Sequence, residues 1–235
     1  ALEKTLQDLQ LDYLDLYMIH FPISLEFVPF DQRYPPEWFN DPDSKEPVMI
    51  PSRVPLSDTW HAMEMLKTEG LAKHIGICNY SSSLLHDLMN YSETKPEILQ
   101  VESHPYLTQE KLIRLAKNYG LEVTAFSPLG SLSYEELGGA EESESLLKNE
   151  SIKSIAKDLN VSPAQLILSW ALNRGTSIVV KSSNEARMKE NLDASLIKLD
   201  PFILDQISAL NINKRYNDPG VFCEDAFNTF FPIYE

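Results

Sequence analysis

Short apolar runs alternate with amphipathic stretches along almost the whole chain. Leu14, Leu16, Tyr17, Met18 and Ile19 form a nearly continuous apolar run, the pattern of a strand covered on both faces. The run ends at His20-Phe21-Pro22, because proline cannot continue a central ladder. Further strands are predicted at His74–Cys78, Ile98–Val101, Leu121–Phe126 and Ser177–Val180. Helical spacing extends over Ala1–Gln10, with Leu2, Leu6 and Leu9 on one face. It recurs from Ser57 or Asp58 to Thr68, over Ser81–Tyr91, and from a Thr108 cap to Tyr119. Four more helices are predicted at Ser151–Leu159, Pro163–Arg174, Asn184–Leu192 and Pro201–Leu210, before an irregular tail. Two connections are long. Phe21–Leu56 is rich in proline but carries Phe27, Phe30, Tyr34, Trp38 and Phe39, which argue for order. Ser131–Lys148 is acidic.

Strands alternating with helices imply an α/β fold with a parallel sheet. The eight glycines are dispersed and no GxGxxG follows a strand, so a doubly wound dinucleotide-binding domain is not expected. A (β/α)8 TIM barrel takes about 250 residues. Five strands and two long loops in 235 residues fit an incomplete barrel that lacks its first three strands. Ala1–Gln10 reads as the middle of a helix with no capping residue before it, which agrees with that reading. Residues 1–235 are therefore expected to form a single, partial barrel domain.

Charge narrows the partners. The formal net charge is −15 at pH 7, which argues against nucleic acid or an anionic membrane. Cys78 and Cys223 stand in no CxxC or metal-ligand pattern, so free thiols in a reducing, cytoplasmic compartment are expected, with no metal. No apolar stretch is long enough to span a bilayer.

Polar residues recur where each predicted strand ends: His20, Cys78-Asn79, Gln100, Ser127 and Lys181-Ser182. In a parallel barrel those ends share one face, where sites are built. Lys181, Ser182, Ser183, Asn184 and Arg187 surround a helix start. Unpaired N–H groups, a positive dipole end and two cations there suit a phosphate. Helix capping flanked by two solvated cations is the bland alternative.

The segments LDYLDLYMIHFP, HIGICNY, LQVESHPYL, TAFSPLGS and VVKSSNEARMKENL resemble the aldo-keto reductase superfamily, in order and in spacing, over the whole chain. FPISLEFVPFDQRYPPEWF and RYNDP are similar to the yeast-type D-xylose reductases within it. The resemblance implies an aldo-keto reductase barrel that binds NADPH, with NADH as a second cofactor, and reduces an aldose or small aldehyde to the alcohol. His20 then matches the histidine that orients the carbonyl. Asn79 and Gln100 match the residues that hold the nicotinamide carboxamide, and Phe126 the ring that stacks on it. Ser127, Leu129 and Ser131 match the pyrophosphate loop, and Glu136 a carboxylate near the adenosine ribose. Lys181, Ser182, Ser183, Arg187 and Asn191 match the surroundings of the 2′-phosphate and adenine. Phe21 and Asn217 would line the substrate pocket, with about 211–235 forming a substrate-side loop. Cys78 stands where the family usually has serine and is not assigned. Gly220-Val221-Phe222 stands where the xylose reductases often carry tryptophan. The family's catalytic Asp, Tyr and Lys match no position here, so the chain as given is expected to be inactive. The partner is a small carbonyl compound, and the protein a monomer or homodimer. Two alternatives stay open: a nicotinamide-nucleotide-binding module without catalysis, and an unrelated barrel acting on sugar phosphates.

Overall fold

The computed structural model describes residues 1–41, 43–135 and 139–234. Helix α1 (Leu2–Leu9) buries Leu2 and Leu6 and ends at Gln10 in the left-handed conformation. Strand β1 (Leu14–Ile19) follows. Next come α2 (Leu56–Thr68), β2 (Ala72–Cys78) and α3 (Ser82–Tyr91). The pattern continues with β3 (Ile98–Glu102), α4 (Glu110–Asn118) and β4 (Glu122–Phe126). After it lie a single-turn helix α5 (Leu132–Glu135), two 3₁₀ turns, α6 (Glu150–Asp158) and α7 (Pro163–Asn173). Strand β5 (Ser177–Ile178), α8 (Glu185–Asp193), α9 (Pro201–Ser208) and α10 (Pro219–Phe227) complete the chain.

The five strands form one sheet in the order β1-β2-β3-β4-β5, every neighbouring pair parallel. Spatial order equals chain order, so there is no topological switch point. That is the winding of a (β/α) barrel and not of an open doubly wound sheet. In β3, Leu99 and Val101 are buried; in β4, Val123 and Ala125 are. Leu99, Val101 and Val123 pack on Trp60, Ile75, Ile77, Leu85, Leu88 and Ile113 in a core beneath α1 to α4. A second core joins Leu146, Ile152, Leu166, Ile167, Trp170 and Ile207 between α6, α7 and α9. Successive strand residues face opposite ways. The other face of the sheet therefore carries Met18, Gly76, Cys78, Gln100, Glu102, Thr124 and Phe126.

Several local expectations need correction. β1 is not buried on both faces: Asp15 is exposed and the other five residues are half-buried. Among the described residues it pairs with β2 alone, so its apolar run lies at a sheet edge. β5 is two residues long where four were expected. Only one more ladder bond follows, from Val179 N–H to Ala125 O (3.0 Å). α2 starts behind Pro55, ahead of Ser57. The N-cap position of α4 is Gln109, left-handed and without a side-chain cap bond, not Thr108. Thr108 instead gives its N–H to Asn211 Oδ1 (3.1 Å), a partner far off in the chain. The tail is not irregular throughout: α10 begins at Asp218, whose carboxylate accepts the Gly220 N–H, with Pro219 in the first turn. Of the other caps, only Asn184 was expected from the sequence. Ser81 caps α3, Asn184 caps α8, and Ser162 forms a capping box with Gln165 on α7.

The long Phe21–Leu56 connection is ordered by its aromatics and by pairing of its two limbs. Glu26 N–H donates to Ile50 O (2.8 Å) and Ser52 N–H to Ser24 O (2.9 Å). Edge-on contacts join Phe21 to Trp38 (5.0 Å) and Trp38 to Phe222 of α10 (5.7 Å).

Candidate active site

Alternation along the strands puts His20, Gln100 and Phe126 on the sheet face opposite the helices, His20 and Phe126 at the carboxyl ends of β1 and β4 and Gln100 two residues before the end of β3. His20 is exposed, with its ring 4.7 Å from that of Phe21. Partial desolvation lowers its pKa, which favours the neutral imidazole. His20, Phe21, Ile23, Leu25, Pro36, Glu37 and Trp38 line a cleft of about 320 Å³. Phe21 is buried and forms the floor with Trp38. Asn217 does not line this cleft. Its N–H donates to Glu102 Oε2 (3.0 Å), and its own Oδ1 is buried without a partner among the described residues.

Asn79 follows β2 with φ 63°, a left-handed conformation that asparagine tolerates better than most residues. The turn directs its N–H to Gln100 O (2.9 Å), tying two of the expected cofactor residues together. Its buried side chain donates from Nδ2 to His20 O (2.8 Å) and accepts at Oδ1 from the Tyr234 hydroxyl (2.9 Å). One N–H and one lone pair remain on that amide, the complement of a carboxamide. Cys78 is buried against Met18 Sδ (3.9 Å), and burial pushes its thiol up to about 12, so it offers no thiolate.

Phe126 is half-buried at the end of β4. Ser127, also left-handed at φ 47°, shares a hydrogen bond with Tyr134 Oη (2.9 Å). Ser131 is fully buried and donates to Glu135 Oε1 (2.9 Å). Glu136 lies outside the described residues. Leu129, Lys181, Ser182, Arg187 and Asn191 do come together. With Leu132, Leu147, Ala164 and Glu190 they line a cleft of about 230 Å³ at the start of α8. Ser183 is exposed beside it. Ser182 Oγ accepts the Asn184 N–H (3.2 Å) and Asn184 Oδ1 accepts the Arg187 N–H (3.0 Å), which fixes the turn that aims both cations. Glu190 brings a carboxylate to the same wall but also accepts from the Ser162 hydroxyl. Among the described residues Lys181 and Arg187 are in no ion pair, whereas Lys189 of the same helix is paired with Asp193 (2.6 Å). Two free cations at a helix N-terminus fit an anionic group such as a phosphate.

Glu102 had no place in the sequence expectation. It is fully buried at the end of β3 and accepts from Tyr216 N–H (2.8 Å), Asn217 N–H (3.0 Å) and His104 Nε2 (2.9 Å). Arg215 stands 3.8 Å away. Its spacing of two from Gln100 was a visible sign that both share a face. Its partners, more than a hundred residues later, left no such sign.

The aldo/keto reductase family model matches residues 1–212. The NAD(P)H-dependent D-xylose reductase of Kluyveromyces lactis is 44% identical over 98% of this chain and 71% of its own length. The enzyme of the same name from Scheffersomyces stipitis is 42% identical over 93% of this chain and 69% of its own. Among solved structures, the aldose reductase of Giardia lamblia superposes with a TM-score of 0.79 at 32% identity, over all of this chain and 72% of its own. Motif order, the parallel sheet and these likenesses agree: the chain belongs to the aldo/keto reductase family.

Proposed function

We infer that this chain carries the cofactor cleft and carbonyl-orienting face of an NADPH-dependent reductase of aldoses or small aldehydes, of the D-xylose reductase type. The observation that carries the reading is the meeting of Lys181, Ser182, Arg187 and Asn191 in one cleft at the α8 N-terminus. Within a protein of net charge −15, two cations at one helix start that make no ion pair among the described residues suit the 2′-phosphate that distinguishes NADPH from NADH. Asn79 and Gln100 would hold the carboxamide, and Phe126 would offer a ring face to the nicotinamide. Bound there, the reduced nicotinamide supplies a hydride to the carbonyl carbon. His20, neutral and exposed, orients the carbonyl and donates to its oxygen as negative charge develops. Phe21 and Trp38 exclude water from one side of that cleft. We place the protein in the cytoplasm, as a monomer or homodimer, with its five strands as an arc of the (β/α)8 barrel.

A second reading is favoured by one observation. Among the described residues, no tyrosine, lysine or aspartate lines the His20 cleft; its only carboxylate is Glu37. Besides the orienting His20, no side chain among the described residues of that cleft is placed to deliver the proton that the alkoxide must receive. The 235-residue chain alone is therefore expected to bind the nucleotide without turnover. Both parts are tested with one preparation. NADPH fluorescence should be quenched saturably, while aldehyde-dependent NADPH oxidation stays at background. Absence of quenching would contradict the cofactor reading, and turnover at rates of about 1 s⁻¹ or more would contradict the inactivity of the chain.

A further inference from the structure

Tyr234 and Arg215 remain without a role in the scheme above. The tail that carries them is seated on the strand-end face at two points. At the first, the buried Glu102 carboxylate accepts the N–H groups of Tyr216 and Asn217. At the second, the Tyr234 hydroxyl donates to Asn79 Oδ1 (2.9 Å), 155 positions earlier in the chain. The Arg215 guanidinium lies over the Tyr234 ring, 3.6 Å from its centroid, and holds it in place. Burial pushes the Tyr234 phenol up to about 12, so it stays a donor throughout the working pH range.

An asparagine amide can turn end for end, exchanging its donor and acceptor. Here both ends are pinned. Nδ2 faces an acceptor, His20 O, and Oδ1 faces a donor, Tyr234 Oη. Turned over, Asn79 would set its NH₂ against the phenol and its oxygen against a carbonyl oxygen. We propose that Tyr234 is a positioning residue: its hydroxyl fixes the Asn79 amide so that one N–H and one lone pair face the nicotinamide carboxamide. The proposal rests on the reading of Asn79 as a cofactor residue given above.

The test compares NADPH with adenosine 2′,5′-bisphosphate, which keeps the 2′-phosphate and adenosine but has no carboxamide. Tyr234→Phe removes only the hydroxyl. It should weaken NADPH binding by about 3–10-fold, the worth of one oriented hydrogen bond, and leave the bisphosphate unchanged. Glu102→Gln, which loosens the tail at its other anchor, should give the same split between ligands. Equal weakening of both ligands would show a general structural role and overturn the proposal. So would an unchanged NADPH affinity in Tyr234→Phe. Failure of the unaltered chain to bind NADPH, with the bisphosphate still bound, would overturn the reading of Asn79 and the proposal with it.

Discussion

His20 illustrates how a strand end sets chemistry. The imidazole is exposed, yet its surroundings desolvate it enough to penalise the charged form. Its folded pKa thus lies below the ordinary value of about 6.5. Between the two values the folded chain binds fewer protons at this site than the unfolded chain. The resulting stability is present above pH ~6.5 and is lost as pH falls through the lower, folded value. NMR of the His20 ring protons should give a midpoint below 6.5; a midpoint at or above it would show that the ring is not desolvated. Histidine at the end of an apolar run was legible in the sequence, as were Asn79 and Phe126, because each closes a strand or follows one directly; Gln100 was legible as the polar residue inside an apolar strand. The pyrophosphate-loop expectation spans unlike surroundings: Leu129 lines the Lys181–Arg187 cleft, while Ser131 turns into the interior to meet Glu135. Glu102 and Tyr234 could not be paired with anything, since a side chain's long-range partner leaves no periodic trace.

Among the elements, the strands and most helices follow from apolar spacing, and the errors sit where tertiary contacts decide. Asp218-Pro219 is a good helix start, but Gly220 and Val221 behind it are poor helix formers and hid α10. Thr108 is a good cap by type, but it is tied to Asn211 one residue before the helix, and the N-cap position falls to Gln109, which makes no side-chain cap bond. The turn after β4 shows the opposite case, a residue fixed by its backbone. Gly130 has φ +73°, and a Cβ there would come within 2.8 Å of Leu146 Cδ1 in the second core. Gly130→Ala should therefore cost about 2–4 kcal/mol, combining left-handed strain with overpacking. Urea unfolding of the variant would measure it. A loss under ~1 kcal/mol would show that the Ser127–Ser131 turn is not held in this form.

At the scale of the molecule, parallel pairing in chain order explains why the carboxyl ends of strands as distant in the chain as β1 and β5 lie along one rim of the sheet. The barrel winding was legible in the alternation of strands and helices and in the lack of a glycine fingerprint. Among the described residues β1 and β5 each pair on one side only. Beside β5 an apolar groove of about 370 Å³ runs along Leu172, Ile178, Val180, Met188 and Leu192. Such edges favour self-association, which the high negative charge opposes. No helix in the described residues is long and apolar enough to cross a membrane, and both cysteines are free and buried. Against the excess of acid over base, the proposed choice of a phosphate-bearing nucleotide rests on the Lys181–Arg187 cleft. The most direct measurement is the affinity of the unaltered chain and of Arg187→Ala for NADPH and for NADH, at one fixed salt concentration. Removal of the guanidinium should weaken NADPH by roughly 10–100-fold, the worth of charge-assisted hydrogen bonds, and change NADH by less than about 3-fold. An equal loss for the two nucleotides would contradict the assignment of this cleft to the 2′-phosphate.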